Sequence, residues 1–142
     1  MLWRWIPRVN PRFVFLNFIL IFAVISSDPR VLAQDKLNLV HATICEEIKE
    51  SAPQRSAVAF SINLGRVSCF TSYDPVPEKT VVNYNWFFKD SLNKTVKLGL
   101  KPPRWSTFSS IQLRETDKGP WRVEITNERG ETLRVLRFSI VD

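Results

Sequence analysis

Short apolar segments separated by turn residues recur about every ten residues after residue 36, a spacing typical of antiparallel β-sandwiches and barrels. The turn segments include Asp74–Pro77, Lys101–Pro103 and Asp117–Pro120, and proline, glycine and aspartate favour turns at such positions. We therefore predict an all-β domain of about 7–8 strands. The predicted strands are Leu37–Ile48, Ala57–Ile62, Arg66–Tyr73, Thr80–Phe88, Thr95–Leu100, Trp105–Leu113, Trp121–Thr126 and Thr132–Val141.

The alternation of residues within these segments predicts which side chains face the core. Successive side chains of a strand point to opposite faces of the sheet. In the segment 80–88, Val82, Tyr84, Trp86 and Phe88 share one face. We expect this segment to be a central strand that carries the core tryptophan.

The first 33 residues have the three parts of an export signal. Arginines come first, an apolar run follows at residues 13–25, and Val31-Leu32-Ala33 ends the segment with a small residue. We predict a signal peptide at residues 1–33, cleaved between Ala33 and Gln34, and a mature domain at 34–142. The alternative is an uncleaved inner-membrane anchor at residues 13–25, although this run is shorter than the roughly 20 residues that span a bilayer. The protein is therefore expected to be exported, either periplasmic or secreted.

Composition and charge narrow the choice of partners. The chain is 44% hydrophobic and 12% aromatic, which is rich enough for a packed core. Four arginines and one aspartate before residue 34 account for half of the net charge of +6. The small positive excess that remains does not indicate nucleic acid, and export argues further against that partner. The membrane is expected as a partner only through an uncleaved leader.

The chain has two cysteines, Cys45 and Cys69. In an exported protein two cysteines favour a disulfide, because thiols oxidise outside the cytoplasm and two ligands do not complete a zinc site. A bridge between them would close a loop of about 25 residues, with a stabilisation of roughly 3 kcal/mol in the chain-entropy model. The alternative is two buried free thiols.

Six segments in a fixed order resemble the bacterial domain-of-unknown-function 2914 family, over nearly the whole mature chain. They are Ala42–Cys45, Gly65–Thr71, Asn85-Trp86, Arg104–Ser109, Gly119–Val123 and Gly130–Leu133 followed by Phe138. The resemblance implies an exported or tethered, immunoglobulin-like β-sandwich without an assigned activity. The family tends to have a histidine two positions before the central tryptophan, where this chain has Tyr84, so a role for that imidazole does not carry over.

No motif for catalysis, a metal or a cofactor is found in the sequence. His41 is the only histidine, and no nucleophile elbow accompanies it. The four glycines form no phosphate-binding loop, and no cluster of histidine and cysteine has metal-ligand spacing. We predict a protein that is not an enzyme and needs no cofactor or metal; an enzyme would require a pocket near His41.

Two pairs of neighbouring residues are candidates for ligand binding: Arg104 with Trp105, and Trp121 with Arg122. Each pair follows proline at a predicted junction between a loop and a strand. An aromatic ring beside a guanidinium can stack a sugar or hold an anionic group. The alternative is that each tryptophan caps the core while its arginine lies over the ring.

These observations predict a non-catalytic binding module of the cell envelope. The expected partner is an envelope protein or polysaccharide, recognised by loops and one sheet face on a rigid scaffold. A carbohydrate-binding or carbohydrate-processing module is the first alternative, and it requires Trp86, Trp105 and Trp121 to be exposed in a row.

Overall fold

The computed structural model describes residues 36–142, which form nine β-strands and two short 3₁₀ turns, at Ile62–Leu64 and Glu115–Asp117. The predicted signal peptide and its cleavage site between Ala33 and Gln34 lie outside the described residues. The strands are β1 (Leu39–Lys49), β2 (Ala52–Ser56), β3 (Ala59–Ser61), β4 (Arg66–Tyr73), β5 (Thr80–Phe88), β6 (Ser91–Leu100), β7 (Trp105–Gln112), β8 (Gly119–Thr126) and β9 (Thr132–Val141).

The strands form two sheets. The four-stranded sheet has the order β2-β1-β4-β7, and the five-stranded sheet has the order β3-β9-β8-β5-β6. All neighbouring pairs are antiparallel except β3 and β9, which are parallel. The predicted all-β antiparallel sandwich is confirmed.

Strand β5 lies inside the five-stranded sheet, between β8 and β6. Val82, Tyr84 and Trp86 are fully buried, as the alternation predicted. The Trp86 indole N–H donates to Ser109 Oγ at 3.3 Å, and the Tyr84 hydroxyl is hydrogen-bonded to Thr71 Oγ1. Ser109 and Thr71 belong to β7 and β4 of the opposite sheet, so these two bonds link the sheets through the core.

Trp121 of β8 completes the aromatic part of this core. It is only 4% exposed, and its ring stacks on Phe88 and Phe138 with centroid distances of 4.7 and 6.1 Å. Its indole N–H donates to the Asp117 carbonyl at 2.8 Å. A buried tryptophan needs such a partner, because an unpaired N–H inside a protein is costly.

The predicted disulfide between Cys45 and Cys69 is wrong for this structure, because both thiols are free and buried. In the pairing of β1 with β4, Cys69 lies opposite Ile44, and Cys45 lies opposite Ser68. Residues directly opposite one another point to the same face, and adjacent residues of a strand point to opposite faces. The two thiols therefore lie on opposite faces of the four-stranded sheet. A bond between them would require rotating one strand.

Candidate functional site

A cleft of about 430 Å³ lies at the end of the sandwich where β4 ends and β7 begins. It brings together one of the two predicted pairs, Arg104 and Trp105, with residues that are distant in sequence. The lining residues are Val40, Ser51, Ser72, Tyr73, Asp74, Arg104, Trp105 and Ser106. Most of the cleft is therefore built by β4, β7 and the loops that join them to β5 and β6.

Backbone hydrogen bonds hold the loops beside this cleft. The Val76 N–H donates to the Pro103 carbonyl at 2.7 Å, which joins the β4–β5 loop to the β6–β7 loop. The Asp74 N–H donates to the Asn38 carbonyl at 2.9 Å, and the backbone N–H of Asn38 donates to the Pro75 carbonyl at 3.2 Å. Val76 is buried beneath them. The rim of the cleft is thus fixed before any ligand arrives, which lowers the entropic cost of binding.

Trp105 has an intermediate position between core and surface. One part of its side chain packs against the buried core, and the residue as a whole is half-buried. The Lys101 ammonium lies 5.6 Å from the ring centroid, within the range of a cation–π contact. The cation over the ring is therefore Lys101, whereas Arg104 is exposed at the cleft.

Three serines line the same cleft, and two of them, Ser72 and Ser106, point to the outer face of the four-stranded sheet, whereas Tyr73 and Trp105 point to its core side. Ser106 donates to Ser72 at 3.2 Å across the β4–β7 pair, and Ser51 comes from the turn between β1 and β2. One cation, Arg104, and one carboxylate, that of Asp74, line the cleft with these serines. This set of groups suits a ligand that carries hydroxyls and at least one negative charge.

Ser51 in the cleft lining means that the turn of the β1–β2 hairpin lies near the end of β4. Cys45 and Phe70 point to the outer face of the four-stranded sheet, yet they are only 0% and 6% exposed. A flat, uncovered sheet would leave both side chains open to water.

Tyr73 is the most buried residue of the cleft lining, at 0% exposed. Burial raises the pKa of its phenol, and the nearby hydroxyls of Thr71 and Tyr84 oppose this effect. Burial also raises the pKa of Tyr84. Both phenols therefore stay protonated at neutral pH; the Tyr84 hydroxyl is hydrogen-bonded to Thr71, whereas the buried Tyr73 hydroxyl has no hydrogen-bond partner among residues 36–142.

The second predicted pair does not form a surface site as a pair. Trp121 belongs to the core, so it is not available to a ligand. Arg122 is half-buried and stacks on Phe87, with its guanidinium carbon 4.0 Å from the ring centroid, and it forms ion pairs with Asp90 and Glu124. The arginine of this pair thus covers a different aromatic ring from the one predicted.

His41 lies on the exposed outer face of β1, where its ring contacts Phe70 edge-on at 5.8 Å. It is not among the residues that line the cleft, although its neighbour Val40 is. Within residues 36–142, no group of three or more histidine, cysteine or acidic residues is placed to hold a metal ion. In the same range no helix is long and apolar enough to cross a membrane.

The ordered motifs that suggested a family are now placed on strands β1, β4, β5, β7, β8 and β9. Residues 79–140 match the sequence profile of a family described as "Protein of unknown function (DUF2914)". The chain belongs to this family. The match covers more than half of the described residues, and the DUF2914 segment includes Trp86, Arg104, Trp105 and Arg122. The motifs in β1 and β4 lie outside it.

Comparison with curated proteins found no match. Among solved structures, a β-glucosidase from Listeria innocua in complex with glucose is similar with a TM-score of 0.46 and 8% identity, and one from Kluyveromyces marxianus with 0.42 and 10%. Each comparison covers 75% of this chain, but only 16% and 14%, respectively, of the enzyme. The chain thus spans a small part of the length of these enzymes.

Sequence reasoning missed the polar half of the cleft. Ser51, Ser72 and Asp74 are far from Arg104 along the chain, and serine and aspartate are common in turns and on strand faces. The one feature of the sequence that could have indicated these residues was their position relative to the predicted strands. Asp74 and Arg104 both lie in proline-containing loops, and in the β4–β7 pair Tyr73 lies directly opposite Trp105.

Proposed function

We propose that this domain is a non-catalytic binding module of the cell envelope, and that its ligand site is the cleft around Arg104 and Trp105. The ligand class that fits is an acidic polysaccharide. Its hydroxyls would hydrogen-bond to Ser51, Ser72 and Ser106, and its carboxylates would pair with the Arg104 guanidinium.

The observation that carries this proposal is that Arg104, Trp105 and three serines line one cleft, beside which backbone hydrogen bonds hold the loops. Asp74 is the single carboxylate in the cleft lining, whereas glycoside hydrolysis commonly uses two, and this supports binding over hydrolysis.

A sugar platform of several tryptophans is not supported. Trp86 and Trp121 are 0% and 4% exposed, so the three tryptophans do not form an exposed row. Trp105 alone is partly accessible, and the Lys101 ammonium occupies a position over its ring. We therefore propose that charge and hydrogen bonding, rather than stacking, supply most of the recognition.

Trp105 provides its own reporter for the test. In a chain carrying Trp3→Phe and Trp5→Phe, only Trp86, Trp105 and Trp121 remain, and the first and last are shielded. Titration with polygalacturonate oligomers should change the Trp105 fluorescence in a saturable manner. Neutral dextran oligomers of the same length should bind at least about tenfold more weakly, because the charge-assisted bond to Arg104 is lost.

The matched variants are Arg104→Gln and Arg134→Gln, since Arg134 is exposed on β9, outside the cleft. Arg104→Gln should weaken polygalacturonate binding about tenfold, whereas Arg134→Gln should leave it within twofold. An equal affinity in both variants would show that the cleft is not the ligand site. No saturable change with either oligomer would contradict the polysaccharide as ligand.

A further inference from the structure

The outer face of the five-stranded sheet contains a second concave site, at the opposite end of β5 from the cleft. Its volume is about 180 Å³, and it is lined by Phe87, Lys89, Asp90, Pro120, Trp121, Arg122 and Arg137. Three of these residues are cationic and one is anionic. This volume is less than half that of the cleft, which favours one small charged group over a sugar chain.

Two arginines face each other across the β8–β9 pair at this site. Arg122 and Arg137 are directly opposite in register, and both point away from the core because their neighbours Trp121 and Phe138 point into it. Like charges directly opposite on neighbouring strands destabilise a sheet. The pair therefore needs negative charge nearby.

The available carboxylates compensate only Arg122. Its guanidinium forms ion pairs with Asp90 and Glu124. Arg137, by contrast, forms no ion pair with any carboxylate of residues 36–142. The one carboxylate that lines the concave surface, that of Asp90, pairs with Arg122 instead.

The groups around the concavity are held in place. The Arg122 guanidinium is fixed between Phe87 and two carboxylates, with 17% of its side chain exposed. The Lys89 N–H donates to the Pro120 carbonyl at 3.0 Å, and the Lys89 stem lies against Gly119, where a Cβ would come within 3.1 Å of Lys89 Cε. Such pre-organisation lowers the cost of binding an anion.

We propose that this pocket binds a phosphate group in its dianionic form. Arg137 and Lys89, the two lining cations without an ion pair among residues 36–142, carry two positive charges, which match a phosphate dianion better than a single carboxylate. The planar guanidinium of arginine can donate two parallel hydrogen bonds to phosphate oxygens. Because Arg122 is already paired with Asp90 and Glu124, Arg137 and Lys89 would donate most of the hydrogen bonds to the phosphate. The phosphate is either free or a monoester on a larger molecule.

The test is a titration of the ¹⁵N-labelled full chain at pH 7.5 and constant ionic strength, with inorganic phosphate, glycerol phosphate and acetate as separate probes. The backbone amides of Lys89 and Arg122 should shift in a saturable manner with phosphate, while the Trp105 indole signal of the cleft should not. Acetate should bind at least about tenfold more weakly because it carries a single charge. Equal binding of acetate and phosphate would overturn the proposal.

The variants are Arg137→Gln and Lys89→Gln, with Lys97→Gln as the control from the exposed β6 strand of the same sheet. Arg137→Gln should weaken phosphate binding about tenfold and should not lower the melting temperature, because it removes the repulsion from Arg122. Lys97→Gln should change the affinity less than twofold. Unchanged binding in both Arg137→Gln and Lys89→Gln would also overturn the proposal.

The two phosphate probes distinguish the source of the ligand. Tighter binding of inorganic phosphate would identify a free ion as the ligand, and tighter binding of glycerol phosphate would identify a monoester on a larger molecule. Because the readouts lie at opposite ends of β5, a failure here leaves the acidic-polysaccharide proposal for the cleft intact.

Discussion

The direction of the side chains of Cys45 and Cys69 decides whether the two thiols can form a disulfide. They are 24 positions apart in the sequence and lie on neighbouring strands, but a register difference of one residue puts the thiols on opposite faces of the sheet. Burial raises the pKa of both thiols. Both are therefore protonated at neutral pH and poorly reactive, since the thiolate is the nucleophile.

We predict that the two thiols stay free even in an oxidising buffer. After incubation with oxidised glutathione, the native protein should react negligibly with a thiol reagent, whereas the denatured protein should expose two reactive thiols. The physical reason is that neither sulfur can reach the other or the solvent without unfolding. A mass lower by two hydrogens, with no reactive thiol in denaturant, would instead identify the disulfide.

The strand elements follow the local sequence pattern closely where one face is buried. Strands β4, β5 and β9 begin and end at the predicted residues. The prediction failed at β2, because Ala52–Ser56 lies between the predicted strands Leu37–Ile48 and Ala57–Ile62 and contains Pro53. A proline is tolerated there because β2 is an edge strand with β1 as its only neighbour.

Strand β6 is longer than predicted, since it begins at Ser91 rather than Thr95. Lys89 and Asp90 form a two-residue turn with φ angles of 47° and 65°, and Glu50 and Ser51 do the same with 51° and 60°. Two positive φ values are the mark of a type I′ hairpin turn. Neither turn contains glycine or asparagine, so these two tight hairpins lack the residues by which such turns are predicted.

We expect Glu50→Asn to stabilise the domain and Glu50→Val to destabilise it. Asparagine tolerates a positive φ, whereas a β-branched residue is strained there, and each change is expected to alter the free energy of unfolding by about 0.5–1 kcal/mol. Urea unfolding of the two variants measures the effect. As a control, Ser56→Asn should not be more stable than Ser56→Val, because Ser56 lies in the regular strand β2. If Glu50→Val were as stable as Glu50→Asn, the turn would not have this geometry.

At the scale of the whole molecule, the buried ionisable groups make stability depend on alkaline pH. Burial raises the pKa of the Cys69 thiol above its ordinary value of 9.0, and it raises the pKa of the Cys45 thiol in the same direction. Below pH 9 the folded and unfolded chains both keep these protons. Above it the unfolded chain loses them while the folded chain does not, so rising pH favours unfolding.

We therefore predict that the free energy of unfolding decreases as pH rises above 9, with a slope from Cys69 that approaches about 1.4 kcal/mol per pH unit near pH 10 and a contribution of the same sign from Cys45. Urea unfolding between pH 8 and 10 measures this slope. In Cys69→Val the slope should be smaller by the contribution of one thiol. Below pH 8.5 its free energy of unfolding should differ from that of the unsubstituted protein only through the change in core packing. A stability that stays constant from pH 8 to 10 would contradict the burial of these thiols.

The sequence alone determined the fold class, the buried face of β5 and the family, because the two-residue period of a half-buried strand and the order of motifs are local properties of the chain. It also singled out Arg104 and Trp105. Only the tertiary structure decided that Trp121 is core, that the thiols cannot pair, and that Arg137 lies opposite Arg122. Strand register and the packing of one sheet on the other set these outcomes. Both depend on residues far apart in the chain, which a local pattern does not encode.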